Sequence, residues 1–356
     1  MPNSASLEAF ANVQELVKPE KPPGLFHTIV TGTDLARPLP PIRFAVPHLG
    51  LAPGAPTMIM GFGFSGKTMM GQDLLLSVSA GLPLWDLYSV GQGPVLHIDC
   101  EQGSRVTQER YQRLAAGRGI ALGDLGTNLT VAYPDQFNLE DDASFDELAR
   151  MADGKQLVLI DSFRAAAAHV RENDSEARQP LDRMGRIADQ TGATFIVIHH
   201  SKKGPGDGDP RFAGRGSGAI FDALGNAFVL DGSADGKIKV VHSKDRLRGL
   251  LLDDFHLCIE RVGTGDDYGL RVRHLDREQL EQPRLEANPA HKSLILKLLS
   301  RQSFLGTRAD LRRALVIGSG PFQLALSELL GECKVVQTSE KGHMIFTLGG
   351  TDASTE

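Results

Sequence analysis

Residues 61–68 read Gly-Phe-Gly-Phe-Ser-Gly-Lys-Thr and match the pattern G-x-x-x-x-G-K-[ST] at every defined position. The apolar run 57–61 leads into this stretch and is typical of a buried strand, whereas 67–80 has the spacing of a helix. Glycines at such a junction let backbone N–H groups surround phosphate oxygens, and the start of the helix adds positive charge. The sequence therefore predicts a nucleotide phosphate site. Its predicted residues are Gly61, Gly63, Phe64, Ser65, Gly66, Lys67, Thr68 and Met69.

A site of this kind needs positive charge and a metal ligand near the phosphates. Lys67 supplies charge to the β- and γ-phosphates, and the hydroxyl of Thr68 is a ligand for Mg²⁺. A second apolar run, 157–161, ends in Asp161, whose carboxylate can accept hydrogen bonds from Mg²⁺-bound water. The alternative is an Asp that caps a following helix. Because Asp161 accompanies the phosphate loop, the sequence predicts ATP and Mg²⁺ as ligands, with Thr68 and Asp161 on the metal side.

Hydrolysis also needs a group that orients or deprotonates water, and two further strand ends offer candidates. The run 95–100 leads to Glu101, which we expect one strand over from the phosphate loop and within reach of the γ-phosphate. Asp99 shares its strand face and competes for this role, and Glu101 can instead be a surface acid at a helix start. A later run ends in His199 and His200, at an edge where ligands bind. We favour His200 over His199 as the group that senses the γ-phosphate.

Apolar runs of strand length alternate with segments of helical period from 57 to about 262. This alternation predicts an α/β fold with a mostly parallel central sheet. The last two runs flank a short glycine-bounded turn and indicate an antiparallel hairpin at the edge of the sheet. The predicted strands are 57–61, 95–100, 129–132, 156–161, 194–199, 226–231 and 237–242, and the predicted helices include 67–80, 104–117, 143–152 and 175–191.

The last part of the chain has a smaller pattern of its own. Residues 276–290 are polar and contain two prolines, which is typical of a linker. The segments after it follow the order of a winged helix-turn-helix, with three helices and a β-ribbon. We therefore expect an N-terminal arm at 1–33, the main α/β domain at 34–275, the linker, and a winged-helix domain at 291–349. The C-terminal segments are the helical stretches 292–299, 307–314 and 322–330 and the strand-like stretches 334–338 and 343–348.

The small C-terminal domain is locally basic. Between 290 and 349, eight Lys or Arg side chains stand against four Asp or Glu, whereas the whole chain has a formal net charge of −6. A basic module on an acidic protein is typical of contact with duplex DNA. The predicted recognition helix, 321–330, nevertheless carries no Lys or Arg to read base edges, so a protein partner is the alternative.

Composition excludes several other classes of protein. The 356 residues suit about two domains of a globular protein, with 41% hydrophobic and 23% charged residues. The three Cys residues are far apart and lack the spacing of a zinc site or a disulfide framework, which favours a reducing cytoplasm. The apolar runs are too short for a membrane span, and the first residues lack the pattern of a signal peptide.

The order of these motifs resembles that of the RecA-like ATPases. The phosphate loop is followed by Asp-Cys-Glu at 99–101, Leu-Ile-Asp-Ser at 159–162 and Ile-His-His-Ser-Lys-Lys at 198–203. Within that group, the Pro-rich lead-in and the segment 214–223 are similar to the RepA-type branch of plasmid and phage hexameric replicative helicases. The resemblance covers roughly residues 40–262 and implies a RecA-like P-loop core.

That resemblance also implies a homo-oligomeric ring, usually a hexamer, with ATP bound between subunits. The neighbouring subunit then supplies positive charge: Arg246 is similar to the trans-acting finger, Lys244 to its companion, and Arg215 is a second candidate. A solvated charge cluster is the alternative reading of this Lys-x-Arg. Loops at the carboxyl edge of the sheet face the ring centre in this family, and the cations of 202–211 can meet single-stranded DNA. A surface loop without ligand is the alternative there.

The sequence thus predicts a Mg²⁺-dependent ATPase that acts on DNA, with a RepA-type ring helicase as the preferred form. The alternative is an ATP-controlled assembly or regulatory protein whose winged helix binds DNA or a protein partner. The ATPase chemistry is the same in both, so the motifs do not separate them. A P-loop kinase is disfavoured because no segment resembles a lid that binds a phosphate acceptor.

Overall fold

The computed structural model describes residues 30–170, 175–200, 218–232, 236–263, 268–281, 289–332, 334–340 and 343–349. The chain divides into two compact units, Met1–Ile42 and Arg43–Glu356. Several predictions lie outside the described residues. They are those for most of the N-terminal arm, for the loop 202–211 and for Arg215.

Strands and helices are numbered in chain order. The strands are β1 (Thr57–Gly61), β2 (Val95–Asp99), β3 (Leu129–Ala132), β4 (Leu157–Asp161), β5 (Thr194–His200), β6 (Asn226–Gly232), β7 (Lys237–Asp245), β8 (Phe255–Val262), β9 (Gly269–Leu275), β10 (Phe304–Leu305), β11 (Val335–Glu340) and β12 (His343–Leu348). The helices are α1 (Gly32–Leu35), α2 (Lys67–Ala80), α3 (Ser104–Arg118), α4 (Leu122–Leu125), α5 (Asp142–Ala152), α6 (Phe163–Ala166), α7 (Gln179–Thr191), α8 (Gly218–Ala223), α9 (Arg277–Glu281), α10 (Pro289–Leu299), α11 (Arg308–Leu315) and α12 (Ser319–Gly331). Short 3₁₀ helices cover Gly126–Asn128 and Ser175–Arg178.

Among the described residues, nine strands form one sheet in the order β3-β2-β4-β5-β1-β6-β7-β8-β9. The pairs from β3 to β6 are parallel, and the pairs from β6 to β9 are antiparallel. Every residue of β1, β2 and β4 is buried, as expected for parallel strands with both faces covered. The predicted α/β fold with a mostly parallel sheet is confirmed.

The predicted hairpin is confirmed in its pairing but not in its place. β6 and β7 are antiparallel, with Gly232 opposite Ile238, yet β8 and β9 continue the sheet beyond them. The prediction that the hairpin lies at the sheet edge is therefore wrong. In β8, the buried residues Phe255 and Leu257 alternate with a less buried one. This is the pattern of a strand with one covered face, and such a strand has no continuous apolar run in its sequence.

Helices pack on both faces of the sheet, and each face has its own hydrophobic core. Leu75 of α2 and Leu114 of α3 belong to the core on one face. Phe145 of α5 and Leu181 of α7 belong to the core on the other. Burial of each such side chain contributes roughly 1.5–3 kcal/mol to stability. The first face carries the helix that follows the phosphate loop, so its core fixes that helix against the sheet.

The C-terminal helices and strands have a separate core. It contains Leu299 of α10, Leu311 of α11, Leu326 of α12 and Phe346 of β12. β10, β12 and β11 form a three-stranded antiparallel sheet in that order. The three helices and two strands predicted here are confirmed, with bounds that shift by up to three residues. The two-residue strand β10 was not predicted, α9 lies inside the predicted linker, and the assignment to the winged-helix class stays a prediction.

Candidate active site

The carboxyl ends of four parallel strands, β1, β5, β4 and β2, lie along one edge of the sheet. In the register of the strands, Gly61 lies beside His200, and Asp99 beside Asp161. The prediction that Glu101 follows a strand next to β1 is wrong, because β5 and β4 lie between β1 and β2. Crossover connections separate strands that are neighbours along the chain, so chain order does not give spatial order. Glu101 nevertheless reaches this edge through the turn after β2.

The loop between β1 and α2 leaves space for phosphate oxygens because two glycines shape it. Gly66 has a φ of +86°, a left-handed conformation that glycine adopts without steric cost, and α2 begins directly after it. A Cβ atom on Gly61 would lie 2.5 Å from a carbonyl oxygen of β6 and 2.7 Å from Ser65 Oγ. The loop thus ends at the N-terminus of a long helix, where N–H groups face an anion. The predicted loop residues Gly61, Gly63, Phe64, Ser65, Gly66, Lys67, Thr68 and Met69 all lie in this turn or in the first turn of α2.

The ammonium group of Lys67 lies inside this loop. It donates hydrogen bonds to the carbonyl oxygen of Phe62 and, at 3.4 Å, to Ser65 Oγ. Burial lowers the pKa of Lys67 to about 8, while the charges of Asp161 and Glu101 act in the opposite direction. Lys67 is therefore still protonated near neutral pH, and its charge faces the place that the motif assigns to phosphate.

The two residues predicted on the metal side are in direct contact. Thr68 Oγ1 donates a hydrogen bond to Asp161 Oδ2 at 2.8 Å. Asp161 is completely buried, and this burial raises the pKa of its carboxyl group to about 6. Its other oxygen, Oδ1, has no hydrogen-bond partner within the described part of the chain. A buried carboxylate oxygen without a partner, beside a hydroxyl group, is the kind of donor set that a hard divalent cation binds.

Glu101 and His200 also contact each other. Glu101 Oε2 lies 3.1 Å from His200 Nε2, and both side chains are partly exposed, at 37% and 39%. Beyond the effect of burial, the charge of Glu101 raises the pKa of both Lys67 and Asp161, and His200 lowers the pKa of Asp161. The fold thus gathers Lys67, Asp161, Glu101 and His200 into one electrostatic environment.

Asp99, the alternative to Glu101, is occupied by the turn that follows β2. Its Oδ1 accepts the N–H groups of Glu101 at 3.0 Å and Gln102 at 2.8 Å, and its Oδ2 accepts the hydroxyl of Thr107 at 2.5 Å. Burial alone would raise the pKa of Asp99, but the hydrogen bonds from Thr107, Gln102 and Glu101 outweigh it and lower that pKa. With only 3% exposed, the side chain of Asp99 holds the turn rather than facing solvent.

His199 and His200 lie on opposite faces of the sheet, as adjacent residues of a strand do. His199 pairs with Met60 in the register, and its ring meets the edge of Phe163 with centroids 6.0 Å apart. His200 instead contacts Glu101 at 3.1 Å. Of the two candidates, His200 is therefore the one in contact with the proposed water-activating carboxylate.

The sequence matches the model of a protein family described as AAA domain over residues 20–206, just over half of the 356-residue chain. The chain belongs to this AAA domain family. It is also similar to a solved structure titled "ATPase Domain of G40P", with 15% sequence identity and a TM-score of 0.40; the match covers 57% of this chain and 80% of that chain. Family membership, the phosphate loop and the mostly parallel sheet make the chain a nucleotide-binding P-loop ATPase. No helix in the described ranges has both the length and the apolar character needed to span a membrane.

The predicted finger residues of this AAA domain protein lie at the opposite edge of the sheet. Asn226 pairs with Thr57 at the beginning of β1 and with Asp245 at the end of β7, whereas the phosphate loop follows the end of β1. A strand advances about 3.3 Å per residue, so β1 alone separates the two edges by roughly 13 Å. Lys244 and Arg246 therefore lie away from the phosphate loop of their own chain.

Both side chains bind the C-terminal end of α8. Lys244 Nζ donates to the carbonyl oxygens of Phe221 at 2.5 Å and Asp222 at 3.3 Å, and Arg246 Nη2 donates to that of Asp222 at 2.6 Å. Positive side chains are favoured at this end of a helix. Burial lowers the pKa of Lys244 to about 8, and the charge of Arg246 acts in the same direction. A guanidinium carries five N–H donors, and within the described residues one hydrogen bond from the Arg246 side chain is seen, to Asp222.

Two contributions to these sites were not predicted from the sequence. Thr107 has no motif of its own and follows Asp99 by eight residues, so only the folded turn brings them together. The carbonyl groups of Phe221 and Asp222 belong to the backbone, which a search for functional side chains does not reveal. The sequence did contain a signal for the structural role of Asp99, because an Asp just before a helix often accepts hydrogen bonds from nearby backbone N–H groups.

Proposed function

We propose that this AAA domain protein is a Mg²⁺-dependent ATPase that works as a homo-oligomeric ring on DNA, in the manner of RepA-type helicases. The observation that carries this proposal is the position of two sets of charged groups. Lys67, Asp161 and Glu101 gather at one edge of the sheet, whereas Lys244 and Arg246 lie at the other. A hydrolysis site that uses both sets requires two copies of the chain. The resemblance to RepA-type helicases makes a hexamer the preferred assembly.

In this proposal, the N-terminus of α2 and Lys67 hold the phosphates of ATP. The ammonium group exchanges its hydrogen bonds with Phe62 and Ser65 for phosphate oxygens. Thr68 and Asp161 hold Mg²⁺, which when bound neutralises phosphate charge. The described residues contain no cluster of three His, Cys, Asp or Glu side chains suited to a metal, so Thr68 and Asp161 are the protein ligands that we propose for the ion.

Glu101 orients the attacking water and accepts its proton. His200 is the sensor in this scheme, since its ring contacts Glu101 at 3.1 Å and can bind the γ-phosphate instead. Asp99 and Thr107 act through Glu101, because they hold the backbone turn that presents it. Their role is to position the carboxylate, and misplacement by about 1 Å is enough to slow a reaction strongly.

Arg246 and Lys244 act on the ATP that a neighbouring copy holds. The β7 strand brings them to the edge opposite the phosphate loop, and α8 fixes their direction through its terminal carbonyl groups. A guanidinium supplied in trans stabilises the charge that develops on the transferred phosphoryl group. This arrangement makes hydrolysis depend on assembly.

DNA is the proposed substrate of the ring, and the cytoplasm its compartment. The cations of 202–211, which lie outside the described residues, are proposed to contact single-stranded DNA. The C-terminal three-helix domain, read as a winged helix, is proposed to bind duplex DNA or a protein partner.

Strand unwinding tests the motor form of this proposal. A forked DNA substrate is incubated with ATP and either the wild type or Lys67→Ala, and ATP hydrolysis is measured with and without single-stranded DNA. The proposal predicts unwinding that Lys67→Ala abolishes and hydrolysis that single-stranded DNA stimulates. Hydrolysis that is indifferent to single-stranded DNA, without unwinding, would favour an ATP-controlled assembly or regulatory protein instead.

A further inference from the structure

Two surfaces of the C-terminal domain differ in how the charges of their side chains are balanced. On the first, which we call the paired surface, two lysines meet two glutamates. Lys292 Nζ lies 2.5 Å from Glu328 Oε2 and 2.7 Å from Glu332 Oε1, and Lys334 Nζ lies 2.7 Å from Glu332 Oε2. Because Glu328 lies in the last turn of α12 and Glu332 is its C-cap residue, the positive charge next to this helix is balanced within the domain.

The second surface is the helix α11, whose arginines we call the arginine face. This eight-residue helix carries Arg308, Arg312 and Arg313 but a single carboxylate, Asp310. Asp310 accepts the N–H and the hydroxyl of Thr307 at the helix cap, and also bonds Arg313 at 2.6 Å. The positive charge of α11 thus exceeds its negative charge, in contrast to the paired surface.

The guanidinium of Arg308 is held in place without being neutralised. Its Nε and Nη2 both donate to Gln337 Oε1, at 3.0 and 2.8 Å, and this partner on β11 is an uncharged amide. Arg312 follows Arg308 by four residues, which places both on the same side of α11 about 6 Å apart along its axis. The oriented guanidinium of Arg308, with Arg312 one turn further along the helix, suits successive phosphates of one nucleic-acid strand, because arginine binds phosphate oxygens in a bidentate manner.

We infer that the C-terminal domain binds the phosphate backbone of duplex DNA through the arginine face of α11, and not through α12. This inference rests on the proposed action on DNA and names the surface that makes contact. α12 would have been the recognition helix by its place in the sequence, but its glutamates repel phosphate and its bound lysines are already engaged. Contacts made by α11 to phosphates position the domain without reading the base sequence.

Salt-dependent DNA binding by the full-length protein tests this inference. The dissociation constant of a fluorescein-labelled duplex is measured by anisotropy between about 50 and 200 mM KCl. The variant Arg308→Gln/Arg312→Gln is compared with the wild type and with Arg150→Gln, a matched loss of one exposed arginine that pairs with Glu147 on α5. Two further variants show whether an effect comes only from loss of the Arg308–Gln337 contact. Arg312→Gln leaves that contact in place, and Arg308→Lys/Arg312→Lys preserves the charge.

The inference predicts that the double Gln variant binds duplex DNA at least about tenfold more weakly, for any base sequence, with a salt slope smaller by about two. Arg312→Gln gives about half of that slope change, the Lys variant retains most of the slope, and Arg150→Gln matches the wild type. Unchanged affinity and slope in the double Gln variant would overturn the inference, as would a wild type that binds no duplex. Lys67→Ala separates the two proposals, because it abolishes ATP hydrolysis and leaves duplex binding by α11 intact.

Discussion

The two edges of the central sheet both carry charged side chains, but these differ in burial and in hydrogen-bond partners. At the edge where β1 ends, Asp99, Asp161 and Lys67 are buried and hydrogen-bonded within the protein. Asp161 accepts from Thr68 at 2.8 Å, Asp99 accepts from the N–H of Glu101 at 3.0 Å, and Lys67 donates to Ser65 at 3.4 Å. At the other edge, Arg246 is exposed and Lys244 is half-buried. Within the described residues, the hydrogen bonds that their side chains donate go to backbone carbonyl groups of α8. We propose that the first edge binds the nucleotide and that the second supplies the cations that complete the site of a neighbouring copy.

In the proposed ring, this difference would make ATP hydrolysis depend on assembly. The residues proposed to bind ATP and to orient the attacking water lie at the carboxyl ends of buried parallel strands. The residues proposed to complete the site belong to an antiparallel strand, which runs back to the opposite edge. Each of the following changes weakens one edge, and they are ordered from the largest expected effect to the smallest.

Replacing Arg246 by alanine tests the edge of the sheet opposite the phosphate loop, which we call the far edge. We expect kcat for ATP hydrolysis to fall by about 10³–10⁵-fold, because the transition state loses its trans-acting guanidinium. Arg246→Lys should recover only part of the loss, since an ammonium lacks the planar fork of donors. Phosphate release measures both variants, and Arg150→Ala is the matched control. A normal kcat in Arg246→Ala would exclude Arg246 from the reaction.

Replacing Glu101 by glutamine tests the edge of the sheet where β1 ends, which we call the nucleotide edge. We expect kcat to fall by about 10²–10⁴-fold, because the amide cannot accept a proton from water. ATP affinity should be unchanged, since Lys67, Thr68 and Asp161 are intact. Phosphate release and titration with a fluorescent nucleotide measure the two quantities, with the exposed Glu147→Gln as control. Equal kcat values for Glu101→Gln and wild type would assign water activation to another group.

Replacing Thr107 by valine tests how the nucleotide edge holds Glu101. The change removes a buried hydrogen bond to Asp99 and costs about 1–3 kcal/mol of stability. We expect kcat to fall about tenfold with ATP affinity unchanged, and Thr107→Ser to restore it. In a Glu101→Gln background the valine should have no further effect on kcat, because it acts through Glu101. A tenfold loss in that background as well would show that Thr107 acts independently of Glu101.

Low pH is expected to destabilise the fold around β7, the strand that leads to Lys244 and Arg246. His242 on β7 contacts Asn226 Oδ1 at 2.9 Å and accepts the N–H of Leu252 at 2.9 Å. Burial lowers its pKa to about 4, so the unfolded chain binds a proton below its ordinary value of 6.5 while the folded chain stays neutral. The stability that neutral His242 contributes is complete above about pH 6.5 and is lost as the pH falls toward 4, by up to about 1.4 kcal/mol per pH unit.

Urea unfolding at about pH 7 and about pH 5 measures this effect of His242. The free energy of unfolding of the wild type, relative to that of His242→Gln, should decrease at the lower pH. A relative stability that is the same at both values would mean that His242 is protonated equally in the folded and unfolded chains.

The sequence was sufficient to predict the strands and helices that carry the nucleotide site. The loop 61–68 has a motif that specifies its own geometry, and the buried run that ends in Asp161 identified the metal side of the proposed site. The distance of Glu101 from the loop strand was mispredicted, because crossover connections insert two strands that chain order does not reveal. β8 was missed because its buried residues alternate with less buried ones, and β9 was missed because its buried residues Gly269, Val272 and Leu275 form no apolar run. That Lys244 and Arg246 lie at the opposite edge follows from the antiparallel pairing of β7, which a list of motifs does not contain.

Mixing two inactive variants tests the central claim most directly. Arg246→Ala retains the nucleotide edge and Glu101→Gln retains the far edge, so a mixed assembly contains sites in which both intact residues meet. If ATP hydrolysis needs two copies of the chain, an equal mixture should recover about a quarter of wild-type activity, because random assembly makes one interface in four complete. A mixture that is no more active than the two variants measured separately would contradict an active site shared between subunits.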